Sequence, residues 1–337
     1  MEIQSHFSLK NYNTFGIEAK AQKFISVHTT DELKTVLEQH PDDPKFILGG
    51  GSNMLLTQDI QALVIHVDLK GKRIIESSDD FVWVEADAGE NWHEFVLWSI
   101  NQDFGGLENM SLIPGNVGTT PIQNIGAYGT EIKDTFAYCT ALEIATLQTR
   151  TFTREECAFG YRESIFKNEE KNKYIITSVV FKLTKHSHKI NVSYGDIAAE
   201  LTQKGITTPT LKAVSNAVTA IRQRKLPDPK ELGNSGSFFK NPILPKSDFE
   251  RIAALHPEMP HYIISDTEVK VPAGWLIEQS GFKGKRFGDA GIHKNQALVL
   301  VNYGNATGQE ILDIARMIQQ TVCDTFGIKI EAEVNII

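Results

Sequence analysis

Residues 233–242, which read Gly-Asn-Ser-Gly-Ser-Phe-Phe-Lys-Asn-Pro, constrain the fold more than any other stretch of the chain. Glycine allows backbone conformations that a side chain forbids, so the backbone around Ser237 can approach a ligand closely. Two consecutive phenylalanines indicate that the same backbone is anchored in a core, and Pro242 ends the element. The pattern predicts a rigid support that presents one hydroxyl group. Taken alone, however, these residues fit an ordinary tight bend between strands better.

Two further segments share this richness in glycine, asparagine and small polar residues. One spans residues 46–56, with three consecutive glycines, and the other spans residues 113–129. Three such segments predict a large ligand that lies along the backbone. The first lacks the third glycine of a dinucleotide fingerprint, and the chain has no phosphate-binding GxxxxGK[ST] motif. Successive backbone N–H groups at residues 49–53 can still form a nest for a pyrophosphate.

Composition excludes some classes of protein. The chain has 337 residues, of which 41% are hydrophobic and 23% charged, so two or three globular domains are expected. The net charge of −8 argues against a nucleic-acid-binding surface. The sequence shows neither the apolar core of a signal peptide nor a run long enough to span a membrane. We therefore expect a cytoplasmic protein without membrane insertion.

Cysteines and histidines give no sign of a metal site. Cys139, Cys157 and Cys323 are far apart and have no CxxC partner, which fits a reducing cytoplasm and buried structural thiols. His186 and His188 flank a serine without a cysteine or carboxylate cluster nearby. We interpret them as part of a solvated loop, and we predict no bound metal.

Local patterns predict mixed α and β structure. Helical spacing and capping residues predict helices, and runs of β-branched and aromatic residues predict strands. The polar residues 185–189 follow the clearest strand and mark a candidate domain boundary. The predicted helices cover residues 30–38, 92–101, 210–225, 273–280 and 308–326, and the predicted strands cover residues 46–48, 62–67, 81–86, 174–183, 297–302 and 328–337.

A series of short motifs runs through nearly the whole chain. They begin with Asn13-Thr-Phe-Gly16, end with Glu333-Val334, and include residues 49–53, 113–118, 123–129, 159–164, 225–229, 236–242, 273–278 and 296–300. In their order and spacing, the chain resembles the UDP-N-acetylenolpyruvoylglucosamine reductase family, the flavoenzymes of bacterial peptidoglycan precursor synthesis. Within that family, it resembles the subtype with a mobile tyrosine loop.

The resemblance implies an α+β fold. It comprises a two-lobed FAD-binding region of the vanillyl-alcohol-oxidase (PCMH) type and a C-terminal α+β substrate domain. We expect the first flavin lobe at residues 1–70, the second at residues 71–190 and the substrate domain at residues 191–325. The last strand, within residues 326–337, is expected to return to the flavin lobes and to place Glu333 at the interface.

The resemblance also implies the reaction. NADPH gives a hydride to noncovalently bound FAD and leaves, and the enolpyruvyl ether of UDP-N-acetylglucosamine then takes the hydride and becomes UDP-N-acetylmuramate. Negative charge builds on the carbon next to the carboxylate. The site therefore needs a proton donor, a cation for the carboxylate and a polar group that shares the enolate charge.

Three residues match the family's catalytic positions. Ser237 resembles the proton donor, and Arg162 resembles the arginine whose planar fork holds the carboxylate. Glu333 resembles the third catalytic residue. Alternation along a strand puts Glu331 on the same face, so only the motif selects Glu333. For Ser237, the alternative is a serine that only bonds to nearby backbone. For Arg162, it is a surface arginine paired with Glu163. For the two glutamates, it is a solvated strand face.

The family's binding positions fall mainly on the glycine-rich segments. Tyr194, beside the potential hinge Gly195, resembles the tyrosine of a mobile loop that closes over the diphosphate. Lys225 ends a basic run, residues 222–225, that offers positive charge to an anionic substrate. The implied substrate contacts are Tyr194, Lys225, Asn241 and Gln296, and the implied FAD contacts are Gly49, Gly50, Gly51, Ser52, Asn53, Pro114, Gly115, Gly118, Thr119, Asn124, Gly126, Ala127 and Tyr128.

Two other interpretations stay open from the residues alone. One is another oxidoreductase on the same flavin fold, such as an alcohol or lactone oxidase. Many of these attach flavin through a histidine, and neither residues 46–56 nor residues 113–129 contain one. The other is a flavin carrier without catalysis, which would not need the arginine, serine and glutamate. The expected partners are the UDP-sugar and NADPH, with no nucleic acid and no obligate protein partner.

Overall fold

A computed structural model describes residues 2–194 and 196–337, so the predicted hinge Gly195 lies outside the described residues. The strands are β1 (Gln4–Ser8), β2 (Lys20–Val27), β3 (Lys45–Leu48), β4 (Met54–Leu55), β5 (Ile60–Val67), β6 (Lys72–Ser77), β7 (Phe81–Asp87), β8 (Gly126–Ala127), β9 (Thr130–Glu131), β10 (Phe136–Glu143), β11 (Thr149–Thr153), β12 (Tyr174–Thr184), β13 (Gly233–Asn234), β14 (Ile243–Pro245), β15 (Tyr262–Ile263), β16 (Glu268–Lys270), β17 (Arg286–Phe287), β18 (Ala290–Ile292), β19 (Leu300–Asn302) and β20 (Asn335–Ile336). The α-helices are α1 (Thr30–Gln39), α2 (Trp92–Asn101), α3 (Ile197–Gln203), α4 (Leu211–Lys225), α5 (Lys246–Ala253), α6 (Ala273–Gln279) and α7 (Gly308–Phe326). Short 3₁₀ helices lie at Lys10–Tyr12, Glu108–Met110, Val117–Thr119, Ile132–Asp134 and Ile165–Lys167.

The first compact unit comprises Met1–Phe7, Ala21–Gly50 and Ile60–Arg224. One of its sheets has the order β1-β2-β5-β3, in which β5 pairs in parallel with both β2 and β3. Helix α1 connects β2 to β3 and begins at a cap, because the Thr29 side chain accepts a hydrogen bond from the Glu32 N–H. Strand β3 then leads directly into the three consecutive glycines of the first glycine-rich segment.

A second sheet of this unit is antiparallel, with the order β11-β10-β12-β7-β6. Helix α2 buries Trp92 and Phe95 against it, and their ring centroids lie 5.8 and 5.2 Å from that of Phe181 on β12. The Asn91 side chain caps α2 by accepting a hydrogen bond from the Glu94 N–H. This packed layer fixes the start of α2, which supports the second glycine-rich segment.

The second compact unit comprises Ser8–Lys20, Gly51–Asp59 and Lys225–Ile337. It contains the sheets β13-β19-β18-β17 and β14-β16-β15 and the parallel pair β20-β4. Helix α7 begins at a capping box formed by Thr307 and Glu310 and ends at Gly327, whose φ is 69°. Its apolar face supplies a large part of this unit's core.

The predicted elements other than the C-terminal strand are present, and those at residues 92–101 and 308–326 are confirmed to the residue. The predicted strand at residues 297–302 is shorter, because a turn bond from the Val299 N–H to the Gln296 carbonyl delays its start to Leu300. The continuous C-terminal strand at residues 328–337 is wrong. Regular pairing is confined to Asn335–Ile336, with an isolated bridge between Ala332 and Phe239, because the segment pairs with two separate partners.

Three further expectations concern the domains, the thiols and membrane insertion. Residues 196–224 belong to the first unit and residues 326–337 to the second. These units describe packing, so the three functional domains expected from the sequence stay a prediction. Cys139 and Cys157 are buried, as structural thiols should be, and Cys323 is half-buried. Across residues 2–194 and 196–337, we find no helix with the length and apolarity to cross a membrane.

Candidate active site

The two predicted flavin segments meet within the first unit. A β-carbon placed on Gly50 would lie 3.0 Å from the Gly115 Cα and 2.9 Å from the Asn116 Oδ1. One placed on Gly49 would lie 2.5 Å from the Thr119 Cγ2. The segments can approach this closely only because residues 49 and 50 lack side chains. Close glycine-rich backbones of this kind can cradle a phosphate with their N–H groups, and the arrangement fits FAD.

The second flavin segment is held by backbone hydrogen bonds to the start of α2. The Trp92 N–H donates to the Gly115 carbonyl at 3.0 Å, and the Val117 N–H donates to the Glu90 carbonyl at 2.8 Å. A β-carbon on Gly118 would lie 2.4 Å from the Ala88 Cβ. Packing alone therefore requires glycine at position 118, and its predicted contact with FAD stays a prediction.

Arg162 lies against the same segment. Its Nη2 donates to the Gly126 carbonyl at 2.8 Å and its Nη1 to the Asn124 carbonyl at 3.4 Å. The guanidinium also lies 5.4 Å from the centroid of the Tyr161 ring. The backbone φ of Arg162 is 56°, a left-handed conformation that costs a non-glycine residue about 1–2 kcal/mol. Strain of this kind clusters at functional sites, and here it directs a cation to the flavin segment.

Asn124 is a predicted FAD contact, but both polar atoms of its side chain are hydrogen-bonded to other residues of the protein. Its Nδ2 donates to the Gly160 carbonyl at 2.9 Å and to the Glu131 Oε2 at 3.1 Å, and its Oδ1 accepts from the Lys133 N–H at 3.1 Å. These bonds tie the turn that carries Arg162 to the flavin segment. The side chain of Asn124 thus has a positioning role, and a contact with FAD would fall to its backbone.

The basic run at residues 222–225 does not act as one patch. The Arg222 Nε donates to the Leu112 carbonyl at 3.2 Å, and burial lowers the pKa of Arg222. Arg224 pairs with the buried Glu200 at 2.6 Å. The prediction that the whole run at residues 222–225 offers positive charge to the substrate is therefore too broad, because Glu200 already compensates the charge of Arg224. Lys225, which is exposed, keeps its predicted role as a substrate contact.

Ser237 lies in the second unit on a rigid frame. Phe238 and Phe239 are 0% and 1% exposed, as the sequence predicts, whereas Ser237 is exposed. The Phe238 N–H donates to the Leu298 carbonyl at 2.8 Å. On the other side of Ser237, Gly236 has a φ of 69°, and its N–H donates to the Asn234 Oδ1 at 2.9 Å. The serine is thus fixed from both sides.

Glu333 lies on a segment that pairs with this frame. Its N–H donates to the Phe238 carbonyl at 2.8 Å. The backbone of Glu333 is therefore paired with the residue that directly follows Ser237. Glu331 is bonded further along, through its carbonyl to the Lys240 N–H at 2.9 Å. Glu333 is half-buried and Glu331 is exposed. Of the two glutamates, Glu333 is the one whose backbone pairs next to Ser237, and its catalytic role stays a prediction.

The remaining part of the first glycine-rich segment belongs to this unit. A β-carbon on Gly51, whose φ is 61°, would lie 1.9 Å from the Tyr12 carbonyl oxygen, so only glycine fits there. The Ser235 Oγ donates to the Ser52 carbonyl at 3.0 Å, and the Asn53 Nδ2 donates to the Glu333 carbonyl at 3.4 Å. Ser52 and Asn53 are therefore brought to the segments that carry Ser237 and Glu333.

Asn241 and Gln296 each lie beside one of the first two residues of α6. The Asn241 Oδ1 accepts a hydrogen bond from the Ala273 N–H at 2.9 Å. A β-carbon on Gly274 would lie 3.2 Å from the Gln296 Oε1, which also accepts from the Leu298 N–H at 3.3 Å. The structure thus brings together two predicted substrate contacts that are distant in sequence.

Tyr194 is 43% exposed and lies in a segment without regular secondary structure. Its ring packs edge-on against that of Tyr128, with 6.3 Å between the centroids. Two buried asparagines that support the candidate site had no assigned role at the level of sequence. Asn234 fixes the turn before Ser237, and Asn109 donates to the carbonyls of Tyr128 and Asn191. Asn234 belongs to the glycine-rich stretch 233–242, which predicts the turn without showing the hydrogen bond, and Asn109 belongs to no pattern that identifies it as more than a small polar residue.

Comparison with protein-family models gives two matches. Residues 228–337 match the model described as UDP-N-acetylenolpyruvoylglucosamine reductase, C-terminal domain. Residues 21–153 match the model described as FAD binding domain. The second match includes both glycine-rich segments in which we predict FAD contacts.

Comparison with curated proteins and solved structures agrees. The UDP-N-acetylenolpyruvoylglucosamine reductase of Flavobacterium johnsoniae is 75% identical over 337 residues, which cover all of both chains. The protein of the same name from Pseudomonas putida is 48% identical over all of this chain and 99% of its own. The crystal structure of the reductase from Thermus caldophilus covers 99% of this chain and 98% of its own with a TM-score of 0.67, at 23% identity. Together with the FAD-binding match, this similarity confirms the predicted α+β flavin-binding fold.

Proposed function

This chain belongs to the UDP-N-acetylenolpyruvoylglucosamine reductase family, and from that membership we propose that it reduces the enolpyruvyl ether of UDP-N-acetylglucosamine to UDP-N-acetylmuramate. It is an FAD-dependent oxidoreductase of peptidoglycan precursor synthesis, with NADPH as reductant. The oxidase and carrier interpretations have no support among these relatives.

The observation that carries the proposal is the way in which Gly236, Phe238 and Phe239 hold Ser237 in place. A weakly acidic hydroxyl can donate a proton only to a strongly basic carbon that is held close to it. Ser237 is exposed between a left-handed glycine and two fully buried phenylalanines, and a glutamate-bearing segment is hydrogen-bonded alongside. A structural serine would not require this arrangement.

On that basis we assign catalytic roles to three residues, alongside the chemistry of the cofactor. When bound, FAD would supply the hydride chemistry that connects NADPH with the alkene. Ser237 donates the proton to the carbon beside the carboxylate, and Arg162 holds that carboxylate with its guanidinium fork. Glu333 orders the polar groups around the developing enolate.

The binding roles follow the same logic. Gly49, Gly50, Gly115 and Thr119 support FAD through close backbone approach, together with the other glycine-rich positions named from the sequence. Lys225 and Asn241 contact the diphosphate, Gln296 makes a further substrate contact, and Tyr194 closes over the diphosphate. We place the reaction in the cytoplasm, which the free buried thiols Cys139 and Cys157 support.

One assay tests the proposal. The purified protein should be yellow, acid precipitation should release FAD into the supernatant, and NADPH should be oxidised only when the enolpyruvyl UDP-sugar is added. UDP-N-acetylglucosamine, which lacks the alkene, is the control. NADPH oxidation that proceeds equally with the control, or flavin that stays in the acid pellet, would overturn the assignment.

A second assay tests whether substrate and NADPH use the same diphosphate contacts in turn. Lys225 and Asn241 can serve either nucleotide, so initial rates should follow ping-pong kinetics, with inhibition by excess substrate. Intersecting initial-rate lines without substrate inhibition would mean that the two molecules bind independently.

A further inference from the structure

Asn109 joins two segments to which the sequence assigns different roles. It lies in the 3₁₀ helix Glu108–Met110 and is only 2% exposed. Its Nδ2 donates to the Tyr128 carbonyl at 3.0 Å and to the Asn191 carbonyl at 2.9 Å. An amide nitrogen carries two hydrogens, so both bonds can be made at once. One bond reaches the flavin segment, and the other reaches the segment that leads to Tyr194.

The second of these bonds extends toward Tyr194. The Asn191 Oδ1 accepts from the Ser193 N–H at 3.1 Å and from the Ser193 Oγ at 2.8 Å. Asn109 therefore fixes the backbone of Asn191, and the Asn191 side chain fixes the residue directly before Tyr194. The segment has no regular secondary structure, so these bonds replace the support that a helix or strand would give.

Packing between the same two segments adds to the hydrogen bonds. A β-carbon on Gly129 would lie 3.1 Å from the Asn191 Nδ2 and 3.4 Å from the Tyr194 Cβ. The φ of Gly129 is 77°. Glycine is therefore favoured here for two reasons, the left-handed backbone conformation and the lack of space for a side chain. The rings of Tyr128 and Tyr194 meet edge-on. The two segments thus touch through a ring pair, a glycine and the shared amide.

We propose that Asn109 is a positioning residue for the reductase reaction, which sets the resting place of Tyr194 relative to the flavin segment. The inference rests on the proposed roles of Tyr194 and of residues 124–128. Removing the amide would leave the Tyr128 and Asn191 carbonyls without a shared donor and would free the start of the tyrosine segment. Substrate would then have to order that segment at the expense of its own binding.

Asn109→Ala in the FAD-loaded protein tests this. Two lost hydrogen bonds correspond to a KM for the UDP-sugar that rises roughly 5- to 50-fold, with kcat changed by about 2-fold or less. Without substrate, residues 190–194 should exchange their amide hydrogens at least about 10-fold faster, while helix α7 exchanges as in the parent protein. The FAD content should be unchanged.

A double variant distinguishes positioning from general support. If Asn109 acts through Tyr194, Asn109→Ala combined with Tyr194→Phe should raise KM by less than the product of the two single effects. Asn302→Ala is the matched control. Asn302 is also buried and its Nδ2 also donates to a carbonyl of a distant segment, that of Phe15, but it lies in the second unit. It should lower stability without changing exchange at residues 190–194.

The outcomes are decisive in either direction. Unchanged exchange at residues 190–194 in Asn109→Ala, or KM effects that multiply fully, would overturn the proposal. If Asn109→Ala does not fold, Asn109→Ser, which keeps one donor, should show the same exchange pattern to a smaller degree. The exchange measurement needs no substrate, so it judges Asn109 even if the enolpyruvyl UDP-sugar proves not to be the substrate.

Discussion

The segment that carries Ser237 and the segment that carries Tyr194 are supported in opposite ways. Around Ser237, two phenylalanines are fully buried and the backbone is bonded to Leu298 and Glu333. Around Tyr194, Ser193 and the tyrosine itself are exposed, and the contacts of this segment include a ring pair with Tyr128 and side-chain hydrogen bonds within residues 191–193. Ser237 thus lies beside side chains buried in a core, whereas Tyr194 lies in an exposed segment without regular secondary structure.

This difference corresponds to what each residue is proposed to do. A proton donor acts at a single point, and displacement by about 1 Å can cost about 10²-fold in rate. A group that closes over a substrate has to move aside for entry and release, so it belongs to a weakly held segment. The following predictions test whether support and role are in fact matched in this way.

The largest effect is expected for Ser237→Ala. Hydride transfer from NADPH to FAD needs no proton from Ser237, so flavin bleaching in a rapid-mixing experiment should stay near the parent rate. Reoxidation by substrate should slow by about 10²–10⁴-fold, as for a lost general acid. Ser237→Cys should recover part of the rate, since a thiol is more acidic than a hydroxyl.

Ser235→Ala is the matched control for that experiment. Ser235 lies in the same turn and donates to the Ser52 carbonyl at 3.0 Å, so its removal also costs one hydroxyl and one hydrogen bond. Reoxidation should slow by less than about 10-fold. If both half-reactions slow equally in Ser237→Ala, the serine supports the flavin or the backbone, and the proton comes from another group.

A pair of truncations compares the two segments directly. Phe239→Ala removes a fully buried ring and should lower the free energy of unfolding by about 3–5 kcal/mol. Tyr194→Ala removes a ring that is 43% exposed and packs edge-on against Tyr128, and it should cost about 1 kcal/mol or less. Urea denaturation of both variants gives the comparison. Similar losses would show that the tyrosine segment is packed as firmly as the serine frame.

Sequence patterns predict the first of these segments well and the second poorly. Phe238 and Phe239 beside two glycines predict a backbone that is anchored in a core and turns sharply. The structure confirms the burial of the two rings and the positive φ of Gly236. The support of Tyr194 depends on Asn109, which is 82 residues from its acceptor Asn191. No local pattern reports a single hydrogen bond over that separation, because the pairing exists only once the sheets have formed.

The same limit explains the other differences. The basic run at residues 222–225 reads as one patch, but Arg224 pairs with Glu200 on a separate helix, and Arg222 is bonded to the Leu112 carbonyl. The positive φ of Arg162 is likewise set by tertiary contacts with the flavin segment, since a local preference would avoid it. Motif order identifies such residues, and only the fold shows how they are held.

A smaller effect is expected for Gly236→Ala. The φ of Gly236 is 69° and nothing lies within 4 Å of the added methyl group, so the cost is backbone strain of about 1–2 kcal/mol without a clash. Gly327→Ala, at the end of α7, has the same φ and the same open space. Both should lower stability alike in urea denaturation, and only Gly236→Ala should slow flavin reoxidation. Equal reoxidation rates would mean that the turn before Ser237 does not set its position.

The smallest effect is expected for Tyr194→Phe. The phenyl ring keeps the edge contact with Tyr128, so only the hydroxyl group is lost, and the fold should be unaffected. Losing one hydrogen bond to the substrate diphosphate should raise the KM for the UDP-sugar about 3- to 10-fold, while kcat changes by about 2-fold or less. Tyr138→Phe, on strand β10 of the antiparallel sheet of the first unit, is a control for loss of a phenolic hydroxyl outside the tyrosine segment. Steady-state kinetics of both variants, with hydrogen exchange of residues 190–194 with and without substrate, provide the measurement. If substrate does not slow hydrogen exchange at residues 190–194 and the KM is unchanged, Tyr194 is a packing residue. The way in which its segment is held would then be unrelated to substrate binding.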